Sequence, residues 1–211
     1  MTIDPIVQAA GLVLDLQTLV SRELKPTDPA VVTVGSIHGG SQHNVISDSC
    51  RLQITVRCYS AEVRQHLLEG IARKAKAVAS GARAPEPTIE IGRDSLSAVF
   101  NDEALTGRCV GALRPLLGED KLVPSEPAMM GEDFSRYGEA GVPIVMLRLG
   151  SIERVRLKAL TRGGMQPPSL HSALYYPDPE PTLVTGVAAM SSIALDLLKP
   201  TGRKPASGAA R

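Results

Sequence analysis

The chain changes from a strand pattern to a helix pattern at Ser60. Between Leu52 and Cys58 apolar and polar residues alternate, a period of two that predicts a strand with one solvated face. Ser60 is a suitable helix N-cap, and apolar residues then recur every three or four positions, which predicts an amphipathic helix. Two elements that each have one apolar face must bury it in a layered domain. The helical stripe consists of Val63, Leu67, Ile71, Ala75 and Val78.

A further helix and two further strands are predicted in the first part of the chain. Asp4 is a good N-cap and Pro5 suits the first position of a helix. Strands are predicted at 31–37 and 87–91. Two helices on one face of an antiparallel sheet make an α+β sandwich, but a ferredoxin-like unit needs one more strand before the first helix. We therefore predict a ferredoxin-like two-layer sandwich without its first strand, with a boundary within 95–101.

The second part of the chain has a different order of elements. Alternating helices and buried strands predict an α/β layer there. The residues after 199 are small and polar, and we expect them to be disordered. The predicted elements are a helix capped by Asn101 that runs to about Leu117, a short strand 121–123, a short helix 132–137, a buried strand 142–147, a loop 161–169 and a last helix from Pro181 to near Leu198.

Composition excludes several classes of function. The net charge is +1 and aromatic residues make up 3%, without a basic stripe, so nucleic-acid binding is not expected. No apolar run approaches the roughly 18 residues of a membrane span, and the N-terminus does not resemble a signal peptide. Cys50, Cys58 and Cys109 are odd in number and lack CxxC spacing. We therefore expect free thiols and a location in the reducing cytoplasm.

One histidine and one acidic motif carry most of the chemical information. Residues 130–136 read Met-Gly-Glu-Asp-Phe-Ser-Arg, and His171 follows in a Pro-rich loop. An imidazole suits zinc, manganese or nickel. Catalytic zinc, however, takes three protein ligands and keeps one open position. The pattern therefore indicates part of a metal site.

Several ordered motifs resemble the M20 metallopeptidases, in particular the amidohydrolases that cleave hippurate, N-acyl amino acids and auxin conjugates. The similarity extends over residues 4–198. Ser47 stands where that branch usually has proline, and it lacks proline's rigid φ. The motifs that carry the resemblance are 4–22, the glycine-rich turn 39–48, the acidic 130–134, the His171 loop 170–172 and 176–180.

The resemblance implies a lid (dimerisation) domain at 1–97, the C-terminal part of a zinc-peptidase-like catalytic domain at 98–199, and a tail at 200–211. In the intact family two divalent metals, such as Zn, Mn or Ni, bridge a water, and a glutamate acts as general base. By this resemblance His171 is the final metal ligand. The other ligands and the base would precede this chain, so we predict no catalytic residue, no stable metal binding and no activity for the chain alone.

Three further residues are candidates for substrate binding, each with a structural alternative. Glu132, next to Asp133, either satisfies backbone donors at a helix start or lines the substrate pocket. Asn44 and His43 either serve the turn or, by the resemblance, contact substrate in the partner subunit. The remaining histidines, His38 and His66, are interpreted as structural.

The resulting functional hypothesis is a metal-dependent amidohydrolase for N-acyl amino acids, homodimeric through the lid domain. Two alternatives stay open: a non-catalytic dimerisation module, and a truncated gene product without a role of its own. A serine hydrolase is not supported, since Ser172 directly follows His171, and adjacent residues do not generally adopt nucleophile–base geometry.

Overall fold

The structure, a computed structural model, describes residues 2–92 and 95–199. It divides into two compact units: one holds the chain up to Phe100 together with Pro127–Val142, and the other holds Asn101–Glu126 together with the chain from Pro143. The predicted domain limits, 1–97 and 98–199, stay a prediction. The elements are α1 (Pro5–Arg22), β1 (Ala30–Gly39), β2 (Cys50–Cys58), α2 (Ala61–Gly81), α3 (Glu103–Leu117), a 3₁₀ turn (Glu119–Lys121), α4 (Ser135–Glu139), α5 (Arg154–Arg162) and α6 (Pro179–Leu197).

Both predicted helix caps of the first unit are present. The Asp4 carboxylate accepts hydrogen bonds from the backbone N–H groups of Ile6, at 2.9 Å, and Val7, at 3.3 Å. The Ser60 hydroxyl accepts from the N–H of Val63 at 3.1 Å. These bonds satisfy donors that have no partner inside a helix, which is why α1 and α2 begin where the sequence indicated.

The sheet of the first unit is an antiparallel pair, in which Ala30 lies opposite Cys58 and Gly39 lies opposite Cys50. The register shifts between Val34 and Ser36, because one extra residue bulges there. Alternate residues of both strands pack against the helices, and the other face is solvated. The mixed α/β fold with a small antiparallel sheet is therefore confirmed. The core of this unit comprises Leu16, Leu19, Leu67 and Ile71.

A buried lysine joins the two helices of the first unit. The Lys74 ammonium on α2 lies 2.9 Å from a carboxylate oxygen of Asp15 and 3.3 Å from one of Glu23, both on the α1 side. The same Glu23 also contacts Arg73 at 2.5 Å, and His66 lies 4.0 Å from it. Because a buried charge is costly unless it is paired, this cluster fixes which faces of α1 and α2 meet.

The second unit has its small core between α3 and α6, formed by Cys109, Leu113 and Ile193. The cap of α3 is Asp102, whose carboxylate accepts from the N–H of Leu105 at 2.7 Å. The predicted cap, Asn101, was therefore wrong by one residue. Asp102 has the extended backbone of an N-cap, with φ −61° and ψ 128°.

Three predicted strands do not form in the described residues. The segments 87–91, 121–123 and 142–147 are irregular or turn-like, and the sheet pairs only β1 with β2. Val123 is 78% exposed and Val142 51% exposed, although both were predicted to be in strands. Strand propensity reflects packing against neighbouring strands, so an apolar run that has no neighbouring strand does not form a regular strand.

The helices of the second half also differ from the predictions. The helix predicted at 132–137 is a turn that leads into α4. The helix α5 was not predicted, and its end overlaps the start of the loop predicted at 161–169. The last helix begins at Pro179, two residues before the predicted Pro181. The tail 200–211 lies outside the described residues.

The three cysteines are free: Cys50 and Cys58 are the two ends of β2, and Cys109 is buried in the α3–α6 core. Burial raises the pKa of the Cys109 thiol above its usual value, which keeps it in the less reactive protonated form. Among the described residues, no helix combines the length and the apolar character needed to cross a bilayer.

Candidate functional site

His171 lies in an exposed turn of the second unit. A backbone hydrogen bond spans His171: the N–H of Ser172 donates to the carbonyl oxygen of Ser169 at 2.9 Å. The N–H of Leu174 donates to the Ser172 hydroxyl at 3.1 Å. Ser172 thus shapes the turn, and the His171 imidazole is left accessible to a ligand.

The chain after this turn is tied to the start of α5 by an ion pair. Asp178 accepts hydrogen bonds from the N–H of Glu153 at 2.7 Å and from the Arg156 guanidinium at 2.8 Å. Arg156 also donates to the carbonyl oxygen of Tyr176, and it lies 5.5 Å from the centre of the Tyr176 ring. One arginine therefore holds the segment that leads from the His171 turn into α6.

Two further hydrogen bonds join the same segment to Ser151. The Tyr175 hydroxyl meets the Ser151 hydroxyl at 2.5 Å, and the N–H of Asp178 donates to the carbonyl oxygen of Ser151 at 2.8 Å. Sequence reasoning missed Ser151 and Arg156 as supports of the His171 turn. The sequence feature that could have indicated α5 is the Arg-Val-Arg-Leu-Lys pattern at 154–158, which is typical of an exposed helix.

Glu132 lies in the first unit at the start of the turn that leads into α4. Its carboxylate accepts weakly from the N–H of Phe134 at 3.4 Å, and its carbonyl oxygen accepts from the Ser135 hydroxyl at 2.9 Å. The side chain is half-buried, whereas the neighbouring Asp133 is exposed. This geometry favours the backbone-satisfying role over a pocket role within this unit.

The acidic motif is fixed to the rest of the first unit by two arginines. The Arg57 side chain on β2 donates to the carbonyl oxygen of Met129 at 2.7 Å. Arg136 donates to the carbonyl oxygen of Ser95 at 2.6 Å and contacts Glu139 at 2.9 Å. The pKa of Glu139 is lowered, first by a hydrogen bond from Ser97 and second by Arg136.

Asn44 and His43 are exposed in the loop that joins β1 to β2. The loop begins with Gly40, whose φ of +79° lies in the region that favours glycine. A local bond from the N–H of Val45 to the carbonyl oxygen of Gln42, at 3.4 Å, turns the chain at these two residues. Both side chains are therefore free to contact something outside the unit.

The candidate residues are divided between the two units. Asn44, His43 and Glu132 belong to the first unit, whereas His171 belongs to the second. Within 2–92 and 95–199, no three His, Cys, Asp or Glu side chains converge in a way that could hold a metal ion. Because a catalytic zinc needs three protein ligands, the described residues do not fit a complete metal centre.

The comparisons with known proteins agree with the resemblance seen in the motifs. Residues 1–83 match the sequence model of the M20 peptidase dimerisation domain. The chain is 34% identical to the IAA-amino acid hydrolase ILR1-like 2 of Arabidopsis thaliana over 205 residues, which are 96% of this chain and 44% of that protein. It is 34% identical to the N-acetyl-L-cysteine deacetylase of Bacillus subtilis over 136 residues, which are 64% of this chain and 32% of that protein.

Solved structures show the same fold. A crystal structure of a putative aminohydrolase from methicillin-resistant Staphylococcus aureus superposes with a TM-score of 0.66 and 25% identity, covering 93% of this chain and 47% of that one. A dinuclear metal binding peptidase of the M20 family from Bacillus subtilis gives a TM-score of 0.64 at 24% identity, again covering 93% and 47%.

The fold and the matches define a chain related to metal-dependent hydrolases. The chain belongs to the M20 peptidase family, with the dimerisation domain at residues 1–83 and a C-terminal portion after it. It spans less than half the length of the relatives described above, 44% and 32%.

Proposed function

We propose that the chain is the lid and C-terminal portion of a metal-dependent amidohydrolase that cleaves N-acyl amino acids. The observation that carries this proposal is the 34% identity to an IAA-amino acid hydrolase along 96% of the chain. The deacetylases among the relatives also act, by their names, on N-acyl amino acids. We further propose that residues 1–83 form a homodimer contact, as the dimerisation domain of the family does by name.

In this proposal His171 supplies one imidazole ligand to a divalent metal ion, Zn, Mn or Ni, in the complete enzyme. Its support is the exposed turn held by Ser172 and by the Arg156–Asp178 ion pair. When bound in the complete enzyme, such a metal would lower the pKa of a bound water and polarise the scissile carbonyl. Because the described residues hold only this ligand, we propose that the chain alone does not hydrolyse amides.

We also propose that Asn44 and His43 contact the substrate from the partner subunit's side of the dimer. Their support is the exposed position on a loop that makes few contacts of its own. Glu132 is retained as a weaker substrate-binding candidate, because its carboxylate already accepts from the backbone of Phe134.

The proposal is tested with a chimera in which this chain replaces the aligned 205 residues of the IAA-amino acid hydrolase ILR1-like 2. We expect hydrolysis of N-acetyl, N-benzoyl or indole-3-acetyl amino acids with added Zn²⁺, Mn²⁺ or Ni²⁺. His171→Ala is expected to abolish turnover, whereas the matched change His66→Ala on α2 retains it. Asn44→Ala is expected to raise KM more than it lowers kcat. A folded chimera that binds metal but cleaves none of these substrates contradicts the proposal.

The inactivity of the chain alone is tested in the same assay. Turnover by the isolated chain that disappears in His171→Ala contradicts it.

A second candidate function, a non-catalytic dimerisation module, is favoured by the buried leucine core of the first unit and its match at 1–83. Sedimentation of the isolated chain decides this candidate: a folded monomer at all concentrations excludes it.

A further inference from the structure

The segment that carries His171 leaves and returns to the same place in the second unit. It runs from α5 to the start of α6, and residues 175–178 at its end contact residues 151–156 at its beginning. The Arg156 guanidinium lies 2.8 Å from an Asp178 carboxylate oxygen, and the Tyr175 hydroxyl lies 2.5 Å from the Ser151 hydroxyl. The chain between these contacts is therefore a closed loop, with His171 shortly before its end.

The Asp178 carboxylate does not bind the helix that Asp178 begins. Asp178 precedes Pro179 and has the extended backbone of the N-cap of α6, with φ −89° and ψ 100°. An aspartate at this position normally accepts a hydrogen bond from the N–H of the second or third helical residue. Asp178 makes no such bond. Its two carboxylate oxygens accept instead from the N–H of Glu153, at 2.7 Å, and from the Arg156 guanidinium, at 2.8 Å.

The first turn of α6 explains why this carboxylate is available. Pro179 and Pro181, at the first and third positions of the helix, have no backbone N–H. The N–H of Thr182 already donates to the carbonyl oxygen of Asp178 at 3.3 Å. Only the N–H of Glu180 is then left for a capping side chain. Because α6 has so few donors to satisfy, the Asp178 side chain can bind another helix at little cost to its own.

The helix that gains from this arrangement is α5. Its own N-cap, Glu153, makes no side-chain capping bond. Asp178 supplies that carboxylate from a different segment, since it accepts from the N–H of Glu153 as a glutamate at the third helical position does in a capping box. A negative charge is also favourable at the N-terminus of a helix. The same residue therefore joins the start of α5 to the start of α6.

Arg156 adds contacts that a simple surface ion pair lacks. Its guanidinium also donates to the carbonyl oxygen of Tyr176 and lies 5.5 Å from the centre of the Tyr176 ring. The Arg156 and Asp178 side chains are 32% and 22% exposed. An isolated exposed ion pair contributes little to stability, whereas several bonds to one planar guanidinium fix the geometry of the groups that it binds.

We propose that Arg156 and Asp178 are positioning residues, which close the loop that carries His171 and hold this histidine where the complete enzyme needs it. We call the contacts among Ser151, Arg156, Tyr175 and Asp178 the clasp. The clasp acts through the backbone of residues 172–178, whose first bonds form the His171 turn. Its role in catalysis rests on the proposed function, whereas its effect on the loop does not.

The effect on the loop is tested by amide hydrogen exchange in the chain itself. Arg156→Gln removes the charge and most donors of the side chain. We expect amides of 172–178 to exchange about 10-fold faster, because the loop opens more often. Asp178→Asn should have a similar effect. The double variant should exchange little faster than either single variant, since both changes break the same contact.

Two matched controls replace other arginines of the same unit by glutamine. Arg154→Gln lies on α5, where Arg154 is exposed and has no ion pair among the described residues. Arg114→Gln breaks the ion pair with Glu119, away from the loop in sequence. Both should leave exchange at 172–178 unchanged. If Arg156→Gln does not fold, Tyr175→Phe tests the same clasp by removing only the hydroxyl that meets Ser151, with an expected increase of about 3-fold.

The role in catalysis is tested in the chimera described above. Arg156→Gln is expected to lower kcat by about 10- to 100-fold and to change KM by less than about 3-fold, because a displaced His171 affects the reaction more than substrate binding. Arg156→Lys should recover part of the loss, since its ammonium retains one donor for Asp178. A variant that was merely less stable would regain full kcat at lower temperature, whereas the loss expected here persists.

The clasp is overturned if exchange at 172–178 stays unchanged in both Arg156→Gln and Asp178→Asn, or if Arg154→Gln accelerates it equally. Faster exchange with an unchanged kcat overturns the positioning role in catalysis. An inactive parent chimera contradicts the proposed amidohydrolase, and the exchange experiment on the chain alone then still decides whether the clasp holds the loop.

Discussion

The core leucines of the first unit are fully buried, whereas the most buried apolar side chains of the second unit each keep a small exposed fraction. In the first, Leu16, Leu19 and Leu67 have 0% exposure between two helices and a sheet. In the second, the core has three buried members, and Val187 on α6 is 66% exposed. The first core lies between two helices and a strand pair, whereas the second lies mainly between the two helices α3 and α6.

The largest expected effect is the loss of a buried leucine in the first unit. Leu19→Ala should lower the free energy of unfolding by about 2–5 kcal/mol, since it removes fully buried methyl groups and leaves a cavity. Leu183→Ala on α6, where the side chain is 65% exposed, should change it by no more than about 0.5 kcal/mol. Urea unfolding followed by circular dichroism measures both. Equal losses would mean that the two units do not differ in burial.

The next effect concerns two glycines in the helices of the first unit. A Cβ on Gly70 would lie 2.5 Å from a methyl carbon of Leu19, whereas one on Gly11 would meet nothing within 4 Å. Gly70→Ala should therefore destabilise by about 1–3 kcal/mol. Gly11→Ala should stabilise by about 0.5–1 kcal/mol, because alanine favours a helix interior. The same unfolding experiment compares them, and a stabilising Gly70→Ala would show that α1 and α2 pack loosely.

The buried lysine of the first unit should make stability depend on alkaline pH. Lys74→Met should cost about 1–3 kcal/mol at neutral pH, since Asp15 loses its ion-pair partner and Glu23 keeps only Arg73 and His66 nearby. The pKa of Lys74 is raised, first by its hydrogen bond to Asp15. The ion pair therefore contributes fully to the free energy of unfolding below the pKa of lysine in the unfolded chain, about 10.4. This contribution is lost as pH rises through the higher pKa of Lys74 in the folded chain.

Unfolding of the parent chain and of Lys74→Met between pH 7 and pH 11 measures this contribution. The difference between them should be constant up to about pH 10 and shrink above it. A difference that grows with pH would contradict the ion-pair assignment.

The smallest expected effect lies in the second unit, at the cap of α3. Asp102→Ala should lower stability by about 1 kcal/mol, because the N–H of Leu105 loses its acceptor. Asp133→Ala is the matched control, since this exposed carboxylate accepts no side-chain hydrogen bond within the described residues. Thermal unfolding should separate the two variants. A larger loss in Asp133→Ala would give the acidic motif a structural role that the fold does not indicate.

The elements α1, β1, β2 and α2 of the first unit were predictable because they are specified locally, whereas the strand predicted at 87–91 in the same unit does not form. Asp4 and Ser60 cap their helices, and the alternation from Leu52 to Cys58 gives β2. The cluster around Lys74 could not be predicted, since it joins residues 15, 23 and 74 that only the packing of α1 on α2 brings together. The M20 family was likewise recognisable from motifs, because they follow one another in the expected order.

The candidate site was predicted only as separate residues. His171 could be named from its motif, but its support by Arg156 and Asp178 depends on α5, which was not predicted. The assignments of His171, Asn44, His43 and Glu132 remain predictions.

The sequence by itself determined the helices with strong caps, the β1–β2 pair and the family. Only the tertiary structure decided that 142–147, although apolar enough for a strand, does not become one in the described residues. A helix satisfies its hydrogen bonds within its own segment, whereas a strand needs the backbone of another. The same reason leaves segment 143–149 of the second unit irregular, because it has no partner strand among the described residues.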